Sequence, residues 1–178
     1  KYALFKKGFG PYVSDIIRLP APNMYCKPVE FTDEAYVNYC IQQFETAMIA
    51  QIDPDSVAAI IIEPVQGEGG FIPMPKAFLQ KLRAVANAHG IVLIFDEIQC
   101  GASRTGKLFA CEHFDVVPDI ICMAKSIGAG MPISAITGRA TIIDAPHLGG
   151  VGGTYGGNPL ACVAAIEAMK ILSSTEFL

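Results

Sequence analysis

Two residues stand where a side chain could do covalent and proton-transfer chemistry. Lys125 follows the apolar run Ile120 to Met123 and precedes the small, flexible stretch Ser126-Ile-Gly-Ala-Gly130, while Asp96 closes the run Ile91 to Phe95. A lysine at the end of an apolar strand is expected to point into a crevice, where burial disfavours its charged form and supplies a neutral amine able to attack a carbonyl. An acid at a neighbouring strand end is expected to line the same crevice. Glu63, at the end of Ser56 to Glu63, is a third such end group; because Pro64 fixes a turn behind it, only an electrostatic or structural part is assigned to it.

The elements that must position these residues follow from the pattern. Thr32, followed by Asp33 and Glu34, starts a helix, and Tyr36, Tyr39, Cys40, Phe44, Ala47 and Met48 recur at helical spacing to about Gln51. Ser56–Glu63 is a short β-branched run suited to a buried strand, and Ile91–Phe95 and Asp119–Met123 read as two further buried strands. Pro75 to Ala88 reads as a helix with proline at its start and Gly90 past its end; Pro132–Thr137 reads as a further strand and Asn158–Leu172 as a closing helix with a face of alanines. Residues 1 to 31 are Pro, Gly and aromatic-rich and read as extended, with room for a short strand. Strands alternating with helices at these lengths predict an α/β fold, a mostly parallel open sheet with helices on both faces. In such a sheet ligands bind beyond the carboxyl ends of the strands, so Glu63, Asp96 and Lys125 should converge.

Composition narrows the partner. The chain has 178 residues, 52% hydrophobic and 17% charged, with a net charge of −4, so a packed domain is expected and no basic footprint for nucleic acid or an anionic membrane is present. No apolar run approaches the ~18 residues of a membrane span, and a small-molecule partner is expected. Six scattered cysteines without a CxxC pair argue against zinc and against a disulfide framework, and fit a cytoplasmic setting or a mitochondrial matrix. His89, His113 and His147 are isolated and read as capping or surface residues.

Two nucleotide-binding patterns fail in context. Ile91 to Glu97 looks like a Walker B strand, and Gly101 to Leu108 comes within one residue of a P-loop, but Leu108 stands where Ser or Thr must reach Mg²⁺ and the loop follows the acidic pair instead of preceding it. The cluster Gly149 to Gly157 puts Tyr155 at the third glycine position of a dinucleotide fingerprint counted from Gly150.

Four blocks taken in order carry a family resemblance: EPVQGEGG (63–70), FDEIQCGASRTGKLFACEHFDVVPDI (95–120), MAKSIGAGMPISAITGRA (123–140) and GGTYGGNPLACVAA (152–165). Together with the opening KKGFGPYVSDIIRLPAPN, they resemble the signature blocks of class III pyridoxal phosphate aminotransferases, most closely the 4-aminobutyrate type. The resemblance implies a fragment of the large, cofactor-binding domain of a fold-type I enzyme, spanning 1–178. Both ends read as cut, since the family's upstream phosphate-cupping loop and downstream small domain are missing from it.

Residue by residue, the resemblance implies Lys125 as the Schiff-base lysine and proton shuttle for pyridoxal 5′-phosphate, and Asp96 as the partner of its ring nitrogen. It implies Gln99 at the phenolic oxygen, Ile98 on one face of the ring, Thr154 at the phosphate of a neighbouring subunit in a homodimer, and Glu68 as the switch glutamate that pairs with and releases an arginine during substrate exchange. No metal is implied. The implied reaction moves the amino group of 4-aminobutyrate to 2-oxoglutarate; ornithine, acetylornithine and 5-aminovalerate enzymes share these blocks and stay open, as does the reading that the 178 residues alone are non-catalytic.

Overall fold

A computed structural model describes residues 6–178. The element order is α1 (Asp33–Ala50), β1 (Ala59–Ile62), β2 (Val65–Gln66), β3 (Ile72–Pro73), α2 (Lys76–His89), β4 (Val92–Asp96), β5 (Ile120–Met123), β6 (Ala135–Gly138), α3 (Ala140–Ile143) and α4 (Pro159–Leu172). Strands β1, β4, β5 and β6 form one sheet in that order, and β2 pairs with β3 in a separate antiparallel hairpin. The first three are parallel and β6 is antiparallel to β5. A parallel neighbour needs a crossover, usually a helix, and the short loop from Ala124 to Ser134 has no room for one, so the chain turns back on itself.

The helices begin where local chemistry starts them. Thr32 Oγ1 accepts the Ala35 N–H at 3.2 Å with Asp33 and Glu34 in the first turn of α1, and Asn158 Oδ1 accepts the Ala161 N–H at 3.1 Å with Pro159 next in α4. Helix α2 stops at Gly90, whose φ of 67° closes the last turn in a conformation that costs other residues more. Phe44 and Met48 of α1 join Phe78, Leu79, Leu82 and Ala86 of α2 in one core, and α2 packs on β4, whose Leu93 and Phe95 belong to the same core. Each large side chain removed from water here contributes roughly 1.5–3 kcal/mol. The aromatic start of α1 packs elsewhere: Phe31 lies against Tyr36 and Tyr39, with ring centroids 6.0 and 5.5 Å apart.

Three local expectations change. The strand expected from Ser56 starts at Ala59, because Asp53 Oδ1 accepts the Asp55 N–H and Pro54 favours a tight 3₁₀ turn over 54–56. The hairpin of β2 and β3 starts inside the block read only as a motif and ends just beyond it; two-residue strands are too short to show a period. Of the opening segment, residues 6–31 hold turns and extended backbone without a strand, and residues 1–5 lie outside those described.

Asp119 ties the sheet together. Its buried carboxylate accepts the Leu93 N–H of β4 at 2.8 Å, Arg83 Nη1 of α2 at 2.7 Å and Arg139 Nη1 beyond β6 at 3.2 Å. Burial opposes its ionisation, but the Leu93 N–H and the two guanidinium groups outweigh burial and hold the carboxyl below the usual carboxylate range. A depressed acid stabilises the fold above its unfolded value, about 3.9, and that stability is lost as pH falls through the folded value. Asp119→Ala is therefore expected to cost about 3–5 kcal/mol at pH 7, as when a buried pair loses one partner, and less at pH 3. Urea unfolding of both proteins at the two pH values measures the difference; equal costs would refute the charge assignment.

Candidate active site

The carboxyl ends of β1, β4 and β5 lie side by side, since Ile62 pairs with Phe95 and Asp96 with Cys122. Asp96 ends β4, Glu63 follows β1 directly and Lys125 lies two residues past β5, so the register sets all three at the carboxyl end of the sheet.

Strand β4 sorts two adjacent acids to opposite faces. Side chains alternate along a strand, so Leu93 and Phe95 enter the core while Asp96 points to the other face, half-buried. One oxygen of Asp96, Oδ1, accepts the Ile98 N–H at 3.1 Å, which fixes the carboxylate at the start of the 97–100 turn. Its other oxygen has no hydrogen bond among the described residues and can take a further donor. Glu97 continues the core side of the alternation and is 1% exposed. Its carboxylate accepts the N–H groups of Ala110 at 2.6 Å and Cys111 at 2.8 Å, pinning the 101–113 loop beneath the turn that carries Ile98 and Gln99. Burial pushes this carboxyl above the usual range, and the two backbone donors pull it part of the way back.

Glu97 is the functional-site residue that the sequence reading passed over. The period-two pattern Leu93, Phe95, Glu97 was its signal. Glu97→Ala strands two N–H donors in the interior and is expected to destabilise the chain by about 2–6 kcal/mol, given roughly 1–3 kcal/mol for each unmet group. Denaturant midpoints of Glu97→Ala and Glu97→Gln check this; the amide keeps an acceptor and is expected to lose clearly less.

Lys125 opens a 3₁₀ turn, Lys125–Gly128, two residues beyond β5. Its φ of 52° lies in the left-handed region, a costly conformation for a residue with a side chain. Helix α4 packs on this turn, with Ala161 buried in its first turn. Here the expectation of a buried amine is corrected: Lys125 is exposed, because its turn projects beyond the strand ends and only one polar group meets the amine. That group is Gln99, whose Oε1 accepts from Lys125 Nζ at 2.7 Å.

Gln99 is itself braced from behind. Gly67 presses on its amide so closely that a methyl group at residue 67 would lie 2.5 Å from Gln99 Cδ and 3.0 Å from Cγ. Gly67 in turn gives its N–H to Glu63 Oε2 at 2.7 Å. Gln99 and Lys125 thus meet, while Asp96 is joined to the backbone of Ile98 in the same turn. Glu68, the next residue after Gly67, is exposed in the turn of the β2–β3 hairpin and has no ion pair among the described residues. Thr154 is exposed in the glycine loop ahead of α4, and no hydrogen bond links it to the Lys125–Asp96 group.

A carboxylate with an open oxygen, an amine and an amide, set on one sheet edge, form a donor set that suits a ligand with a carbonyl, a phenolic oxygen and a basic ring nitrogen. No cluster of three or more His, Cys, Asp or Glu able to hold a metal ion occurs among the described residues.

The family described as aminotransferase class III matches residues 1–178. A protein of Bacillus subtilis (strain 168) named a probable 4-aminobutyrate aminotransferase is 48% identical over 168 residues, covering 94% of this chain and 38% of the relative. A 5-aminovalerate aminotransferase of Pseudomonas aeruginosa is 54% identical over 125 residues, 70% of this chain and 29% of its own length. Among solved structures, an amine transaminase from an uncultivated Pseudomonas species in its PLP-bound internal aldimine form superposes with a TM-score of 0.88 at 34% identity, covering 98% of this chain and 41% of that one. The chain spans well under half the length of these relatives.

Proposed function

Because the chain belongs to the class III aminotransferases, we propose that it forms the cofactor-binding centre of a pyridoxal-phosphate-dependent transaminase that moves the amino group of 4-aminobutyrate to 2-oxoglutarate. The observation that carries the reading is the meeting of Lys125 Nζ with Gln99 Oε1 at 2.7 Å, on the sheet edge where Asp96 keeps an open carboxylate oxygen. The 4-aminobutyrate relative favours this donor and the 5-aminovalerate relative supports the neighbouring alternative.

The cofactor supplies an electron sink for the carbanion left when a proton leaves the substrate carbon. The chain's own residues do the rest. Asp96 would hold a proton on the ring nitrogen, with its carboxylate kept in place by the Ile98 N–H. Lys125 Nζ would bind the aldehyde carbon and then carry the proton to and from the substrate. Gln99 would orient the phenolic oxygen and Ile98 would cover one ring face. Glu68, exposed on its hairpin, would pair with and release an arginine outside these residues, and Thr154, exposed in its loop, would reach the phosphate of a neighbouring subunit in a homodimer. The reading places these residues within the large domain of a longer cytoplasmic enzyme.

Donor choice is tested by single half-reactions in a chain of full family length carrying these residues. 4-Aminobutyrate is expected to convert the cofactor to its amino form faster than 5-aminovalerate or ornithine. A clear preference for ornithine would sink the donor assignment and leave the transaminase reading intact.

A further inference from the structure

The amine of Lys125 is held by a chain of contacts that begins on another element. Glu63 leaves β1 and its carboxylate takes the Gly67 N–H at 2.7 Å, fixing the start of the β2–β3 hairpin. Gly67 is buried and lies against the amide of Gln99 with no room for a methyl group. The same amide, through Oε1, takes a hydrogen bond from Lys125 Nζ at 2.7 Å. Among the described residues that oxygen is the only hydrogen-bond partner of Nζ. The two hydrogen bonds are short, and between them a side chain at residue 67 would displace the Gln99 amide from its place beside Nζ.

From this geometry we propose that Glu63 is a positioning residue, setting the reactivity of Lys125 through Gly67 and Gln99 and thereby coupling the hairpin that carries Glu68 to the amine. The proposal deepens the functional reading above and rests on Lys125 being its reactive amine. The hydrogen bond pins Nζ against the Gln99 amide and must be broken before the amine can swing toward an incoming carbonyl. Freed from Gln99, the amine should react faster. Glu68 is one residue from Gly67, so a ligand that displaces Glu68 would change the hold on Nζ.

The test is competitive acetylation of the 178-residue chain with trace acetic anhydride at pH 7, read at Lys125 by mass spectrometry with other surface lysines as internal standards. Gln99→Ala and Gly67→Ala are each expected to speed Lys125 labelling about twofold to tenfold, the loss implied by one ordinary hydrogen bond. The double variant should add nothing further, since both changes break the same contact. Glu63→Ala should give the same direction of change, and Glu63→Gln, which keeps an acceptor for the Gly67 N–H, should restore the parent rate. A far-ultraviolet circular dichroism spectrum confirms that each variant is folded; for any that is not, the remaining variants and the Glu63→Gln comparison still decide.

Unchanged labelling in Gln99→Ala and Gly67→Ala overturns the proposal, as does additivity in the double variant or failure of Glu63→Gln to restore the parent rate. Trapping of pyridoxal 5′-phosphate with borohydride separates the two levels. An adduct absent from Lys125 in the parent chain, with the acetylation pattern intact, would count against the cofactor reading and leave the coupling standing. An adduct on Lys125 with all variants acetylating alike would do the reverse.

Discussion

Lys125→Ala is expected to abolish borohydride-stable attachment of pyridoxal 5′-phosphate at residue 125 and to lower transamination in a chain of full family length by roughly 10⁴-fold or more. Two roles leave together: the amine that binds the cofactor carbonyl, and the general acid–base group that moves the proton, which alone is worth roughly 10²–10⁴. The measurement is peptide mapping of the reduced adduct beside single-turnover kinetics. A variant that turns over within tenfold of the parent would remove Lys125 from the chemistry. Because residue 125 has a φ of 52°, Lys125→Gly is the control that relieves backbone strain while still lacking the amine.

Asp96→Asn should behave differently, keeping the cofactor and losing the rate. An ion pair at contact distance in an effective dielectric of about 20 is worth several kcal/mol before desolvation, enough to hold a proton on a ring nitrogen. An amide keeps the shape and the Ile98 N–H contact but cannot supply that charge. Turnover is expected to fall about 10³-fold, the equivalent of ~4 kcal/mol, with cofactor binding changed far less. Cofactor titration by absorbance beside half-reaction rates separates the two. Equal losses in binding and rate would mean that Asp96 only anchors the ligand.

What the sequence made legible follows the length of each signal. Helix α2 was readable from its apolar spacing and the Pro75 and Gly90 boundaries, and β4 and β5 from short, nearly continuous apolar runs, because the forces that shape them act over neighbouring residues. The β2–β3 hairpin was not, since two-residue strands have no period and are made by the Glu63 and Gly67 contact. Asp96 and Lys125 could be picked out as strand-end groups. The exposure of Lys125 could not, because it depends on a turn that projects beyond the sheet. Glu97 lay within reach of the alternation that placed Leu93 and Phe95 in the core, yet its neighbour Asp96 drew the chemical assignment. The contact between Gln99 and Lys125 joins residues 26 apart, and no local pattern encodes such a meeting.

The opposed acids of β4 also bear on how this stretch can change length. Asp96 and Glu97 are both carboxylates, so a single-residue insertion or deletion between Val92 and Phe95 would still leave an acid at the strand end. It would be the wrong one. A slip of one residue flips every side chain to the other face, sending Asp96 among the core side chains and taking Glu97 away from the amides of Ala110 and Cys111. In this segment the register of the frame is itself the functional trait: exchanging one apolar residue for another of similar volume costs less than changing their number.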